Sequence, residues 1–224
     1  MSPRSGAGRV LALVAVVLVA LVVGVLAGRA LPDAPGEQSA DVGFARDMGT
    51  HHQQAIAMAY EAIQEAPSAE VRQLAVDIAS TQGNQLGRMQ ALLIEWGHPL
   101  SGSAPAMAWM AGTEEHAAHG RQGDEEVDAE GDAAMPGMAS AEEVARLSQL
   151  SGEEFEVLFL QLMLRHHAGG LQMAEAGAEL VGDDQLRELA EAILASQSSE
   201  TQVLEDLLAE RGAEPLPFPE QDAA

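Results

Sequence analysis

The sequence predicts an all-α protein: a four-helix bundle built from two repeated helical hairpins, preceded by an N-terminal transmembrane helix. Three observations predict it. The apolar residues are mainly Leu, Ala, Val, Ile and Met, with only 3 % aromatics, which favours helices over a β-sandwich. A stretch of about fifty residues repeats itself. And one unbroken apolar run stands near the N-terminus.

That run comes first in the chain. Arg4 and Arg9 precede apolar residues from Val10 to Ala27, and Arg29 follows them. At 1.5 Å per residue the run covers about 27 Å, close to the hydrocarbon thickness of a bilayer. A cleaved signal peptide has a shorter apolar core of about 7–15 residues. Residues 1–30 are therefore expected to be a single-pass anchor at the cell membrane, with the body on the extracytoplasmic side. Cleavage of the segment would release the body as a secreted protein. The Gly24–Gly28 spacing is a weak marker for a helix-dimer face and hence a homodimer.

Residues 31–40 read as a Pro/Gly linker. A helical pattern runs from Asp41 to Glu65 and breaks at Pro67. Ser68 can cap a second helix that reaches Trp96 and stops at Gly97, ahead of Pro99. Residues 100–139 are rich in Gly, Ala, Asp, Glu and Met without period, and are expected to form a mobile loop. Ser140 with Glu143, and Ser151 with Glu154, each suggest a capping box. The long helix after Ser151 is expected to end at Gly182. A last helix covers Asp184 to Arg211 and closes at Gly212. The Pro-rich tail, residues 213–224, is expected to be disordered.

The repeat holds at a shift of 115 residues without a gap, mapping 44–97 onto 159–212 inside a body of residues 41–212. Phe44 falls on Phe159, Met48 on Met163, His51-His52 on His166-His167, and Met58-Ala59 on Met173-Ala174. In the second helix Arg72 matches Arg187, Ile78 matches Ile193, Gln82 matches Gln197, and Gly97 matches Gly212. Two similar hairpins pack most simply as a pseudo-symmetric four-helix bundle.

Charge and composition narrow the function. The formal net charge is −24, every basic residue is Arg, and Cys is absent. Such a surface repels phosphate backbones, so nucleic acid is excluded as a partner. Without Cys there is no disulfide, thiolate metal site or cysteine nucleophile.

On a helical wheel Met48, His51, His52, Ala55 and Met58 share one face about 120° wide. The face centres on Ala55 in one repeat and Gly170 in the other. Facing copies would gather four His and four Met, with Gln82, Gln197, Glu200 and Met89 on the partner helices at the same level. Thioethers favour copper(I) or silver(I), whereas imidazole also accepts zinc, nickel or iron. A di-iron bundle would need about four inward Glu and a Glu-x-x-His pattern, which this chain lacks. The long loop offers further soft ligands in Met107, Met110, His116, His119, Met135 and Met138. A Met at helical spacing is ordinarily core filler, and a buried His is ordinarily a hydrogen-bonded structural group. Two adjacent His pairs are harder to assign that way, because buried imidazoles cost energy unless partnered. The acidic run from Asp124 to Asp132 reads as a solvated segment.

The pattern Phe-x3-Met-x2-His-His-x5-Met-Ala, at Phe44–Ala59 and again at Phe159–Ala174, resembles the ferritin-like proteins of the domain-of-unknown-function 305 family. That family includes a bacterial copper-resistance protein that binds copper outside the cytoplasm. The resemblance covers about Asp41 to Gly212. It implies a ferritin-like bundle and a metal-ligand role for Met48, His51, His52, Met58, Met163, His166, His167 and Met173. Roles for Met89 and for the loop residues are read from this chain alone.

The expected function is a non-enzymatic, extracytoplasmic metal-binding protein, sequestering or transferring copper(I), with silver or zinc as other occupants. Two rivals are a ferritin-like metal-dependent oxidoreductase and a structural or interaction module with a His-containing core.

Overall fold

In a computed structural model the structure describes residues 4–29, 34–110 and 135–218. These form six helices and one 3-10 turn, with no strand among the described residues. Helix α1 covers Arg4–Arg29, α2 Ala40–Glu65, α3 Ala69–Glu95, α4 Ala141–Leu147, α5 Gly152–Leu180 and α6 Asp184–Glu210. The chain divides into two compact units, residues 1–34 and 35–224.

The first unit is α1. Its side chains from Val10 to Leu21 are exposed. The membrane-spanning helix expected there is not supported, since among the described residues no helix is long and apolar enough to cross a membrane.

The second unit is the bundle. Helices α2 and α3 form one hairpin and α5 and α6 the other, with α2 packed on α5 and α3 on α6. The turns repeat atom for atom. Arg72 donates to the carbonyls of Ala66 and Pro67, and Arg187, 115 residues on, donates to those of Val181 and Gly182. Ser68 and Asp183 cap α3 and α6. Both hairpins end on a glycine with positive φ, Gly97 at 78° and Gly212 at 63°, where a side chain would be strained.

Each hairpin also holds the other's turn. Asp41 Oδ1 accepts from the backbone N–H groups of Gly182 and Asp183 at 2.9 and 2.7 Å. Its counterpart Glu156 accepts from Ser68 N at 2.7 Å and is paired with Arg211. Phe44 and Phe159 are fully buried, one in each of the two apolar clusters.

Three sequence expectations change. Ser140 and Glu143 do form a capping box, but Ser151 makes no side-chain cap. Both described ends of the segment expected to be a loop are packed. Asp47 Oδ2 accepts from Met107 N and from Trp109 Nε1, seating the Ala108–Met110 turn with the Trp109 ring edge-on to Phe44. Of the tail, Leu216 packs against the first cluster and Glu214 O accepts from Gln161 Nε2.

Candidate metal centre

The wheel face predicted for α2 is buried. His51, His52, His166 and His167 have no exposed surface, nor do Met48, Ala55 and Met163. The pseudo-twofold relation brings His51 against His166, with ring centroids 3.7 Å apart and planes tilted by 36°. The helices approach closely here because Gly170 has no side chain. A Cβ at that position would run into the Gln197 amide and come within 3.0 Å of His51 Cε1.

The methionines do not join the histidines in a single group. Because α2 and α5 run antiparallel, Met58 and Met163 fall in one apolar cluster and Met48 and Met173 in the other. The His rings lie between the two. The second cluster also takes Met89 and the loop residues Met107, Met110, Met135 and Met138. His116 and His119 lie outside the described residues. His98 belongs elsewhere: it bonds Pro35 O and Glu37 beside Arg46.

Three of the four imidazoles have one nitrogen committed. His52 Nε2 lies 2.8 Å from Gln85 Oε1, and the Gln85 amide in turn donates to Ser196 Oγ at 3.1 Å. The amide oxygen therefore accepts, and His52 carries its proton on Nε2. His51 Nε2 lies 3.2 Å from the Pro136 carbonyl, which can only accept. His167 Nε2 lies 2.7 Å from Glu200 Oε2. In His51 and His52 Nδ1 is left as the lone-pair nitrogen, and in His167 Nδ1 is the nitrogen not bonded to Glu200. Each of these Nδ1 atoms is buried without a hydrogen-bond partner among the described residues, as are both nitrogens of His166 and both amide atoms of Gln82 and Gln197.

Burial keeps His51, His52 and His166 neutral. It pushes the His51 imidazole down to about 3, with His52 close by opposing protonation further. Burial likewise lowers His52 to about 4, against the raising effect of its bond to Gln85. His166 is held well below the usual imidazole value by burial and then by the neighbouring histidines. Stacked neutral rings tolerate the 3.7 Å approach; charged ones would not.

The Pro136 carbonyl is delivered by a tight Met135–Met138 turn. Gly137 has φ +75°, and Gly169 on α5 offers bare backbone against which Pro136 packs. Gln54 brackets Ala139 through both its amide atoms at 2.8 Å, and Arg165, paired with Glu143, reaches the Met138 carbonyl. Sequence reading missed Gln85 and the Pro136 carbonyl. The repeat contained the signal for Gln85, since the 115-residue shift places it on Glu200.

Among the described residues no three His, Asp or Glu side chains stand as a ready metal-ligating set. The donor chemistry nevertheless fits a soft ion. Uncharged imidazole nitrogens with free lone pairs lie between thioether clusters, and unpartnered buried amides cost about 1–3 kcal/mol each.

The comparisons with known proteins agree with this architecture. The profile of the family described as a domain of unknown function, DUF305, matches residues 41–208. The chain belongs to the DUF305 family. A DUF305 crystal structure from Streptomyces coelicolor is similar at 40 % identity, covering 82 % of this chain and 100 % of that one, with a TM-score of 0.70. A DUF305 fragment from Deinococcus radiodurans shares 31 % identity over 80 % of this chain and 99 % of its own, with a TM-score of 0.60. CopM in its Cu(I)-bound form shares the fold at 21 % identity and a TM-score of 0.55, covering 76 % of this chain and 96 % of CopM. No curated protein matches the chain.

Proposed function

We propose that this DUF305 protein is an extracytoplasmic metal-binding protein that holds a soft monovalent ion, copper(I) first, for sequestration or transfer in metal homeostasis. The observation that carries the reading is the set of buried imidazoles whose Nε2 atoms are spent on protein partners while Nδ1 is left unpartnered. His51, His52, His166 and His167 are the nitrogen ligands. Met48, Met58, Met163 and Met173, in the clusters on either side, supply thioethers. Met89, Met107, Met110, Met135 and Met138 enlarge the thioether supply on one side.

CopM, solved in Cu(I)-, Cu(II)- and silver-bound forms, lends support from a protein of the same fold. The Streptomyces coelicolor relative is described as a candidate secreted protein, which supports placing the body outside the cytoplasm. The N-terminal apolar run is then the export element, cleaved or retained at the membrane. A binding role is favoured over an oxidoreductase because Glu200 is the only carboxylate hydrogen-bonded to the four clustered histidines among the described residues, where di-iron chemistry needs about four.

Anaerobic titration of the full-length chain with copper(I), against a colorimetric chelator, tests the reading. The expected result is withdrawal of copper from the chelator. Binding no tighter than that of an equally acidic control would leave the histidines as core packing.

A further inference from the structure

The 115-residue operation maps the four histidines and their nearest amides onto like residues, but it changes one of the side chains hydrogen-bonded to them. His51 maps to His166, His52 to His167, Gln82 to Gln197, and the near-isosteric pair Ala55 and Gly170 exchange. Gln85, however, maps to Glu200. Both bond the Nε2 of their histidine at almost the same length, 2.8 and 2.7 Å. The bonds are equal in geometry and unequal in charge.

That inequality matters because the cluster is fully buried. An ion taken from water into such a site is penalised unless a counter-charge lies near it. Imidazole, amide and thioether donors provide none. The other charged groups here, Arg165 and Glu143, already neutralise each other. Once a bound metal holds His167 in its neutral form, the Glu200 carboxylate is the negative group bonded to the ligands, in the second repeat.

We propose that Glu200 is the specificity-determining positioning residue of this metal centre: it fixes His167 with Nδ1 as the ligating nitrogen and matches the site to one monovalent cation, against divalent ions. The inference rests on the metal-binding reading above. A soft monocation such as copper(I) or silver(I) leaves the buried site neutral. A dication leaves it with excess positive charge.

The repeat supplies the variants. Gln at position 85 already makes this bond to a histidine, so Glu200→Gln keeps the hydrogen bond and removes only the charge. Gln85→Glu does the reverse. The full-length wild type and both variants are titrated with Ag(I) and with Zn(II) under anaerobic conditions. Glu200→Gln is expected to weaken Ag(I) binding about 10–100-fold, the usual cost of altering the partner behind a ligand. Gln85→Glu is expected to raise the preference for Zn(II) over Ag(I) at least about tenfold. In the metal-free protein, imidazole 15N shifts are expected to show His167 protonated on Nε2.

Wild-type Ag(I) affinity in Glu200→Gln, equal scaling of both metals in Gln85→Glu, or His167 protonated on Nδ1 would each overturn the assignment of Glu200 while leaving metal binding intact. A wild type that takes up neither ion would overturn the metal-binding reading and this one together.

Discussion

The two repeats are the same hairpin solved twice with different side chains. At the helix turns the first repeat presents Asp41, which accepts two backbone N–H groups, and the second presents Glu156, which accepts one and adds the Arg211 ion pair. At the close approach the first has Ala55 and the second Gly170. At the histidines the first has neutral Gln85 and the second has Glu200. Backbone geometry survived duplication at all three places while charge and volume diverged. The lesson is that the pseudo-twofold axis fixes where groups sit, and that function has to be sought where the halves differ.

The largest expected effect treats the halves as one unit. His51→Ala combined with His166→Ala removes the stacked pair on the axis and should weaken copper(I) binding by more than about 100-fold, beyond what losing a supporting partner costs. His98→Ala, in its separate cluster with Glu37, should leave affinity unchanged in the same chelator competition. Equal losses in both would mean that the axis is not the site.

Next comes the close approach. Gly170→Ala forces a methyl group into the Gln197 amide and toward His51, and should destabilise the bundle by about 1–3 kcal/mol in urea unfolding. Ala55→Gly, its mirror, should cost about 1–2 kcal/mol through backbone entropy and the loss of one buried methyl. A neutral Gly170→Ala would show that α2 and α5 do not meet as closely as the ring contact implies.

The turns should separate by pH. Burial raises the Glu156 carboxyl, but its bonds to Ser68 and Arg211 outweigh this and hold it below the usual carboxylate range. A carboxyl depressed in the folded state contributes stability that is full above its unfolded value and is lost as pH falls through the folded one. Glu156→Gln should therefore lower the melting temperature at pH 7 and flatten the acid limb below about 4.5. Asp41→Asn, lacking an ion pair to break, should do less to the melting temperature at pH 7.

The last expected effect lies at milder acidity. His51 and His52 have folded values pushed down to about 3 and about 4, whereas unfolded imidazole titrates near 6.5. Here the unfolded chain binds the extra protons. The contribution is complete above about pH 6.5 and declines as pH falls toward those folded values. The metal-free protein should begin to lose melting temperature below about pH 6.5, and His51→Ala should reduce that slope. A flat profile down to pH 4.5 would show the rings to be wetter than their burial indicates.

Much of the fold could be read from the residue order. The caps at Ser68 and Ser140, the terminal glycines Gly97 and Gly212, and the inward face through Met48, His51, His52, Ala55 and Met58 are local consequences of capping chemistry and the 3.6-residue period. The repeat extends that local information to a pair of hairpins. Ser151 misled because a Ser-x-x-Glu pattern does not ensure that the cap bond forms; here Gly152, at φ +66°, opens the helix and Ser151 makes no side-chain bond.

What the sequence determined by itself was the all-helical class, the duplication and the family, because periodicity and pattern belong to the chain's own order. What only the tertiary structure decided was the arrangement around the histidines. Antiparallel packing divides the four helical Met into two clusters instead of gathering them. A carbonyl at Pro136, 85 residues from His51, becomes its hydrogen-bond partner. Both follow from which faces meet at the axis, a relation between distant segments that no local period encodes. The same is true of Gln85 and Glu200: the sequence holds the difference, but only the fold places it against buried imidazoles.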